Sequence, residues 1–117
     1  MRQSKADNST PDAPTNGAAS KGFIDLDETF HVKARLGIMT LLLLDEADFS
    51  SLKARLELTD GNLGTHIRVL EDAGFVQIDK AFVGRRPRTT VSITPAGRQA
   101  FGVYLEQLEA VIRMAKS

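Results

Sequence analysis

The sequence predicts a mainly helical fold that contains a small β-hairpin, and three observations predict it. Apolar residues recur at helical spacing up to Gly74. They alternate with polar residues, as in strands, over 75–80 and 89–93, and helical spacing returns after Pro95. The chain has 117 residues, 42% of them apolar, which is enough for one modest core. We therefore expect one domain over 23–117.

The composition limits what this chain can be. Residues 1–22 are predicted to form a disordered tail, because they offer almost nothing to bury. The balance of 15 basic and 15 acidic residues excludes a uniformly basic nucleic-acid binder but permits local basic patches. The absence of cysteine excludes disulfides and thiolate metal sites. The most apolar segment, Ile38 to Leu44, is too short to span a bilayer, and we expect a cytoplasmic protein without membrane contact.

Two helices are predicted before the first clear turn. Residues 34–44 are strong helix formers with apolar side chains on nearly every side, so this helix must be covered on nearly every side. The second runs over 48–58 and opens with residues able to cap a helix. Its apolar stripe consists of Phe49, Leu52 and Leu56.

A third helix is predicted over about 61–73. The run Thr59 to Asn62 supplies turn and cap chemistry before it, and Gly74 supplies a left-handed stop after it. The inward stripe of this helix consists of Leu63, Ile67 and Leu70.

The two predicted strands, 75–80 and 89–93, form a hairpin. Residues 81–88 lie between them and are predicted to be a loop, since the segment is too long for a tight turn and contains Gly84 and Pro87.

This order of elements is that of a winged helix-turn-helix, and five segments carry a more specific resemblance. They are Ala34-Arg35-Leu36, Phe49-Ser50-Ser51-Leu52, Leu58 to His66, Leu70 to Val76, and Ile93 to Arg98. Over about 26–108 the chain resembles compact transcription regulators related to the MarR and ArsR groups. The resemblance implies a homodimeric repressor that binds an operator, with the third helix in the major groove and the hairpin loop as a wing. The chain lacks the thiolates of typical ArsR metal sensors and is shorter than typical MarR proteins, whose extra helices build an effector pocket.

The outward face of the third helix supplies the first candidate DNA contacts. At about 100° per residue, Thr65 and Arg68 point away from the inward stripe. Asn62 and Gly64 lie near the N-terminal end, where the helix dipole is positive and small residues permit close approach to DNA. Base or phosphate contact and ordinary capping and solvation both fit these residues. His66 lies nearer the inward edge, where packing is the alternative to phosphate contact.

The predicted wing, 81–88, supplies the second set of candidate DNA contacts. From Lys80 to Arg98 there are five basic residues and no acidic one. Arginine on a projecting loop can bind phosphates or a narrow minor groove, although a solvated loop is the plain alternative. The candidate wing contacts are Arg85, Arg86 and Arg88.

The first and last helices are predicted to pack between subunits. The last helix begins with Thr94-Pro95 and continues to about Ala115, and its apolar residues recur close to a heptad seam. Packing within one chain is the alternative. The predicted dimerisation residues are Leu36, Leu43, Phe101, Leu105, Leu108 and Ile112.

Other function classes find little support in the sequence. Ser50 and Ser51 have no triad partner, and His31 and His66 lack the companions of a metal site. We therefore expect no enzyme activity, no cofactor and no metal. A winged-helix module that binds protein and not DNA is the alternative function, and it would favour an acidic or apolar wing. A small-molecule effector that uses a cavity between the first and last helices is compatible with DNA binding, but no residue indicates which ligand this would be.

Overall fold

A computed structural model describes residues 26–117. The predicted disordered tail, 1–22, lies outside the described residues. The elements, in chain order, are α1 (Lys33–Leu44), β1 (Ala47–Asp48), α2 (Phe49–Leu56), α3 (Asp60–Asp72), β2 (Val76–Val83), β3 (Arg86–Ile93) and α4 (Pro95–Lys116). The predicted class, helices with a small antiparallel sheet in a winged helix-turn-helix order, is confirmed.

The described chain contains two compact units. Asp27–Tyr104 forms one, and Leu105–Ser117 belongs to the other, so α4 contributes residues to both. The first unit contains the helix-turn-helix, the sheet and the core.

The sheet is antiparallel, in the order β1-β3-β2. The hairpin was expected, but the short strand β1 was not; it pairs Ala47 with Val91 and Asp48 with Thr90. Two residues carry too little alternation to be recognised from sequence. Through this pairing the start of α2 is fixed against β3, the strand that leads out of the wing.

The prediction that residues 81–88 form a loop is wrong. The strands continue to Val83 and from Arg86, and only Gly84 and Arg85 form the turn. Gly84 has a φ of 66° at the first turn position, as in the type II′ turns that join strands of a hairpin. Val83 and Arg86 form the hydrogen-bonded pair that closes the turn, so the next pair, Phe82 and Pro87, is a non-hydrogen-bonded one. Pro87 therefore does not interrupt the ladder, because no backbone N–H is needed there to bond with Phe82.

The core of Asp27–Tyr104 is built around Phe30. Its ring centroid lies 4.9 Å from that of Phe75, 5.1 Å from that of Phe101 and 5.4 Å from that of Tyr104. Phe101 belongs to the predicted dimerisation residues, but its side chain is 0% exposed in the single chain. An enclosed ring cannot contact a partner subunit, so Phe101 is a core residue.

Candidate nucleic-acid interface

The helix-turn-helix is formed by α2, α3 and the short turn between them. Asp48 caps α2, since its Oδ1 accepts a hydrogen bond from the Ser51 backbone N–H at 2.7 Å. Glu57 ends α2 in the left-handed region, with a φ of 55°. Thr59 then caps α3 by accepting from the Asn62 backbone N–H at 3.1 Å. Two side-chain caps and one left-handed residue thus set the angle at which α3 leaves the turn.

The outward face of α3 is open and mostly polar, with Val69 as its exposed apolar residue. Leu63, Ile67 and Leu70 are buried, as predicted, and the side chains of Asn62 and Arg68 are exposed. Exposed Thr65 donates its hydroxyl to the Gly61 carbonyl at 2.9 Å, which leaves its oxygen free to accept a further hydrogen bond. A Cβ added at Gly61 or Gly64 would meet nothing within 4 Å. A ligand surface can therefore approach the backbone of this half of α3 closely.

His66 lies at the inward edge of α3, as its helical position predicts. Its Nδ1 accepts a hydrogen bond from Arg35 Nη1 at 3.1 Å, and Arg35 Nε donates to the Thr29 carbonyl at 2.7 Å. Partial burial lowers the pKa of His66, and the positive charge of Arg35 lowers it further. The neutral ring thereby links α3 to α1 and to the segment before α1.

The three predicted wing arginines occupy different positions. Arg85 lies in the turn, whereas Arg86 and Arg88 lie on β3 and share a face, because residues two apart on a strand point the same way. All three are exposed. Arg88 also pairs with Asp48, with Nη2 3.3 Å from Oδ2. Asp48 therefore both caps α2 and holds one wing arginine, and only the capping role is predictable from the sequence.

A groove of about 340 Å³ separates α3 from the sheet. It brings Gly64 and Arg68 of α3 together with Lys80 and Thr89 of the hairpin. A second groove, of about 380 Å³, lies beside the wing and brings Arg86 and Arg88 together with Ser50 at the start of α2. Each groove thus combines cations and a hydroxyl donor, the groups that bind phosphate oxygens, with a carboxylate, Glu71 in the first and Asp48 in the second.

The remaining predicted dimerisation residues are spread over both units. Leu36 and Leu43 lie on α1 and are partly exposed, as are Leu105 and Leu108 on α4. The side chain of Ile112 is 46% exposed. These five leave apolar surface uncovered in the single chain.

Within residues 26–117 no three His, Asp or Glu side chains are grouped so as to hold a metal ion. Among the described helices, none is both long and apolar enough to cross a bilayer.

Comparison with known proteins identifies the family. A family model described as a winged helix DNA-binding domain matches residues 34–112. The chain belongs to this winged helix family. An uncharacterised protein from Methanocaldococcus jannaschii is 40% identical over 80 residues, which are 68% of this chain and 87% of the relative.

Solved structures agree with this assignment. A transcriptional regulator homologue from Pyrococcus horikoshii is 41% identical, with a TM-score of 0.73 over 78% of this chain and 91% of that one. A MarR-family regulator from Enterococcus faecalis shares the fold at 22% identity, with a TM-score of 0.66 over 76% of this chain and 81% of that one. The predicted resemblance to winged helix regulators is confirmed by the family model and by the Pyrococcus horikoshii structure, and the likeness to the MarR-family protein is one of fold.

Proposed function

We propose that this protein is a homodimeric transcription regulator that binds a specific sequence in double-stranded DNA and represses transcription there. The observation that carries the proposal is the pairing of an open, mostly polar outward face on α3 with a wing whose charged residues are all basic. A transcription regulator must reach the genome, and we therefore propose that this protein is located in the cytoplasm.

The major-groove role of α3 follows from its shape and its donors. Gly61 and Gly64 leave room for base edges, and Asn62, Thr65 and Arg68 are exposed beside them. Arginine pairs well with guanine and asparagine with adenine in the major groove, where the four base pairs differ in donor and acceptor pattern. These three side chains are our candidates for sequence readout.

His66 is a weaker candidate for readout. Its Nδ1 is occupied by Arg35, so only the other ring nitrogen is available to a phosphate. We propose that its main contribution is to hold α3 in place.

The wing is proposed to bind the flanking minor groove or phosphates. Arg85 and Arg86 form no ion pair within the described part of the chain, whereas Arg88 shares its charge with Asp48. The first two should therefore contribute most of the electrostatic attraction, with Arg88 held in a fixed position.

The alternative function, a protein-interaction module without DNA binding, fits the wing less well. A wing rich in arginine and free of acidic residues favours a polyanion. The same charge pattern does not by itself indicate a protein partner.

The test is to select duplexes from a random-sequence pool with the wild-type protein and then to compare binding with an unselected duplex. Thr65→Ala and Arg68→Ala should each reduce discrimination between the two, since a base-contacting pair contributes about 1–3 kcal/mol. Gln99→Ala, an exposed change on α4, is the control and should alter neither affinity. Failure of the wild-type protein to enrich any sequence, at low and moderate salt, would reject specific DNA binding.

A further inference from the structure

The wing tip carries apolar side chains that no function assigned so far uses. The side chain of Phe82 is 73% exposed and that of Val83 is 56% exposed. Pro87, the cross-strand partner of Phe82, is exposed as well. Single exposed apolar residues are common, but three adjacent ones at the tip of a projecting hairpin indicate a contact surface.

The strand register divides these residues between two faces. Val76 and Val91 are buried on the core side of the sheet, and residues two apart on a strand share a face. Lys80 and Phe82 therefore lie on the core side, beyond the end of the core. Cross-strand partners also share a face, so Pro87 lies beside Phe82.

The opposite face of the wing is different in chemistry. Val83 pairs with Arg86, and Ala81 pairs with Arg88. The tip thus presents the Phe82–Pro87 pair on one side and two arginines with Val83 on the other, and Arg85 lies in the turn.

The core-side face is also the face that borders α3. The groove between α3 and the sheet is lined by Arg68 of α3 and by Lys80 and Thr89 of the hairpin, and the pair of Lys80 and Thr89 precedes the pair of Phe82 and Pro87. Phe82 and Pro87 therefore extend the surface that a duplex seated on α3 would meet.

We propose that Phe82 and Pro87 form an apolar wedge that packs against the deoxyribose walls of the minor groove, in an A·T-rich segment beside the sequence read by α3. The inference rests on the proposed DNA binding and deepens it. The occupant is identified by charge complementarity, because the segment from Lys80 to Arg98 contains five cations and no anion, and Glu71 of α3 is the one carboxylate among the described residues that line the adjoining groove. Apolar side chains that contact the minor groove are an established way for proteins to hold or bend a duplex.

The wedge predicts a loss of affinity that does not depend on salt. Phe82→Ala should weaken binding to the selected duplex about tenfold, because the change removes apolar surface that DNA would bury. The slope of log affinity against log salt should stay that of the wild type, since a phenyl ring releases no counterions. Phe82→Leu should lose less than Phe82→Ala, and Val83→Ala, on the opposite face, is the matched control with less than a twofold effect.

Base substitution in the duplex tests the groove. Replacing flanking A·T pairs by G·C adds the guanine amino group to the minor groove, whereas inosine·cytosine pairs lack it. The wild-type protein should lose affinity with G·C and keep it with inosine·cytosine, and Phe82→Ala should shrink this difference.

Three results would overturn the inference. If the folded Phe82→Ala variant binds as tightly as the wild type, the wedge is absent and Phe82 serves another partner, such as a protein. If Phe82→Ala loses affinity for the duplex only at low salt, the loss is electrostatic and does not come from apolar contact. If the wild type binds no duplex, the proposed function fails as well, so the two failures are distinguishable by wild-type binding alone.

Discussion

Gly97 shows how much one residue can decide in this fold. It lies in the first turn of α4, where a Cβ would be 2.1 Å from the carbonyl oxygen of Phe75. The contact is with backbone, which cannot turn aside as a side chain can. The neighbouring Thr94 hydroxyl accepts from the Gly97 backbone N–H at 2.9 Å and further fixes this turn.

We predict that Gly97→Ala lowers the free energy of unfolding by about 1–3 kcal/mol or more, as overpacking does. Gly102 is the matched control on the same helix, because a Cβ there would meet nothing within 4 Å. Gly102→Ala should raise stability by up to about 1 kcal/mol through helix propensity. Urea unfolding of both variants checks this, and equal effects would contradict the close approach.

His66 gives the domain a dependence on pH. Burial, and then the charge of Arg35, lower its pKa below the ordinary histidine value of 6.5 in the folded state. The unfolded chain therefore binds the proton more readily, and the free energy of unfolding should fall as pH drops below 6.5 toward the folded-state value. Above this window the contribution is complete and constant.

His66→Gln should remove this part of the pH dependence, since an amide oxygen can still accept from Arg35 without titrating. The measurement is urea unfolding of both proteins at several pH values below and above 6.5. The stability of the wild type relative to the variant should increase with pH in that window. A constant difference between them would show that the ring does not couple protonation to folding.

At the scale of elements, those with local signals could be predicted from the sequence. Each of α2, α3 and α4 has a cap residue and an apolar stripe, and both kinds of signal lie within a few neighbouring residues. The strand β1 and the wing contacts depend on pairing between distant segments. Asp48 and Arg88 are 40 residues apart, and Arg35 and His66 are 31 apart, so no local pattern reveals either contact.

The cap of α2 can be separated from its ion pair. Asp48→Ala removes both, whereas Asp48→Asn keeps an oxygen that accepts from Ser51 and loses only the charge. We predict that Asp48→Ala lowers the free energy of unfolding by about 0.5–2 kcal/mol more than Asp48→Asn does. Urea unfolding measures the difference, and equal stabilities would show that the cap contributes little.

The wing should account for much of the salt dependence of DNA binding. Each phosphate that Arg85 or Arg86 neutralises adds about 0.9 to the slope of log affinity against log salt, and a dimer doubles the effect. Arg85→Ala with Arg86→Ala should make the slope shallower on every duplex.

The matched controls for the wing are Arg85→Lys and Arg86→Lys, which keep the charge and should keep the slope. A lysine variant that loses its preference for A·T-rich flanks while keeping the slope would locate the arginine in the minor groove. An unchanged slope in the double alanine variant, with thermal stability intact, would remove the wing from the interface.

At the scale of the whole molecule, the uncovered apolar residues of α4 are the basis for expecting a homodimer. Leu105, Leu108 and Ile112 recur at three and four residues, which is the spacing of a seam between helices. The side chain of Ile112 is 46% exposed in the single chain, so nearly half of its surface is left for a partner to cover. A symmetric dimer would also present two copies of α3, and the two half-sites would lie about one helical turn apart.

We predict that Ile112→Asp dissociates the dimer and weakens binding to a two-half-site duplex, because the monomer contacts one half-site only. Met114→Asp is the matched control: it makes the same change of charge at a side chain 65% exposed, two residues along α4 and so about 200° around the helix. Sedimentation equilibrium should show Ile112→Asp as a monomer and both Met114→Asp and the wild type as dimers. A wild-type monomer with full affinity for the selected duplex would show instead that one subunit recognises DNA alone, and the exposed stripe of α4 would then have no role in binding.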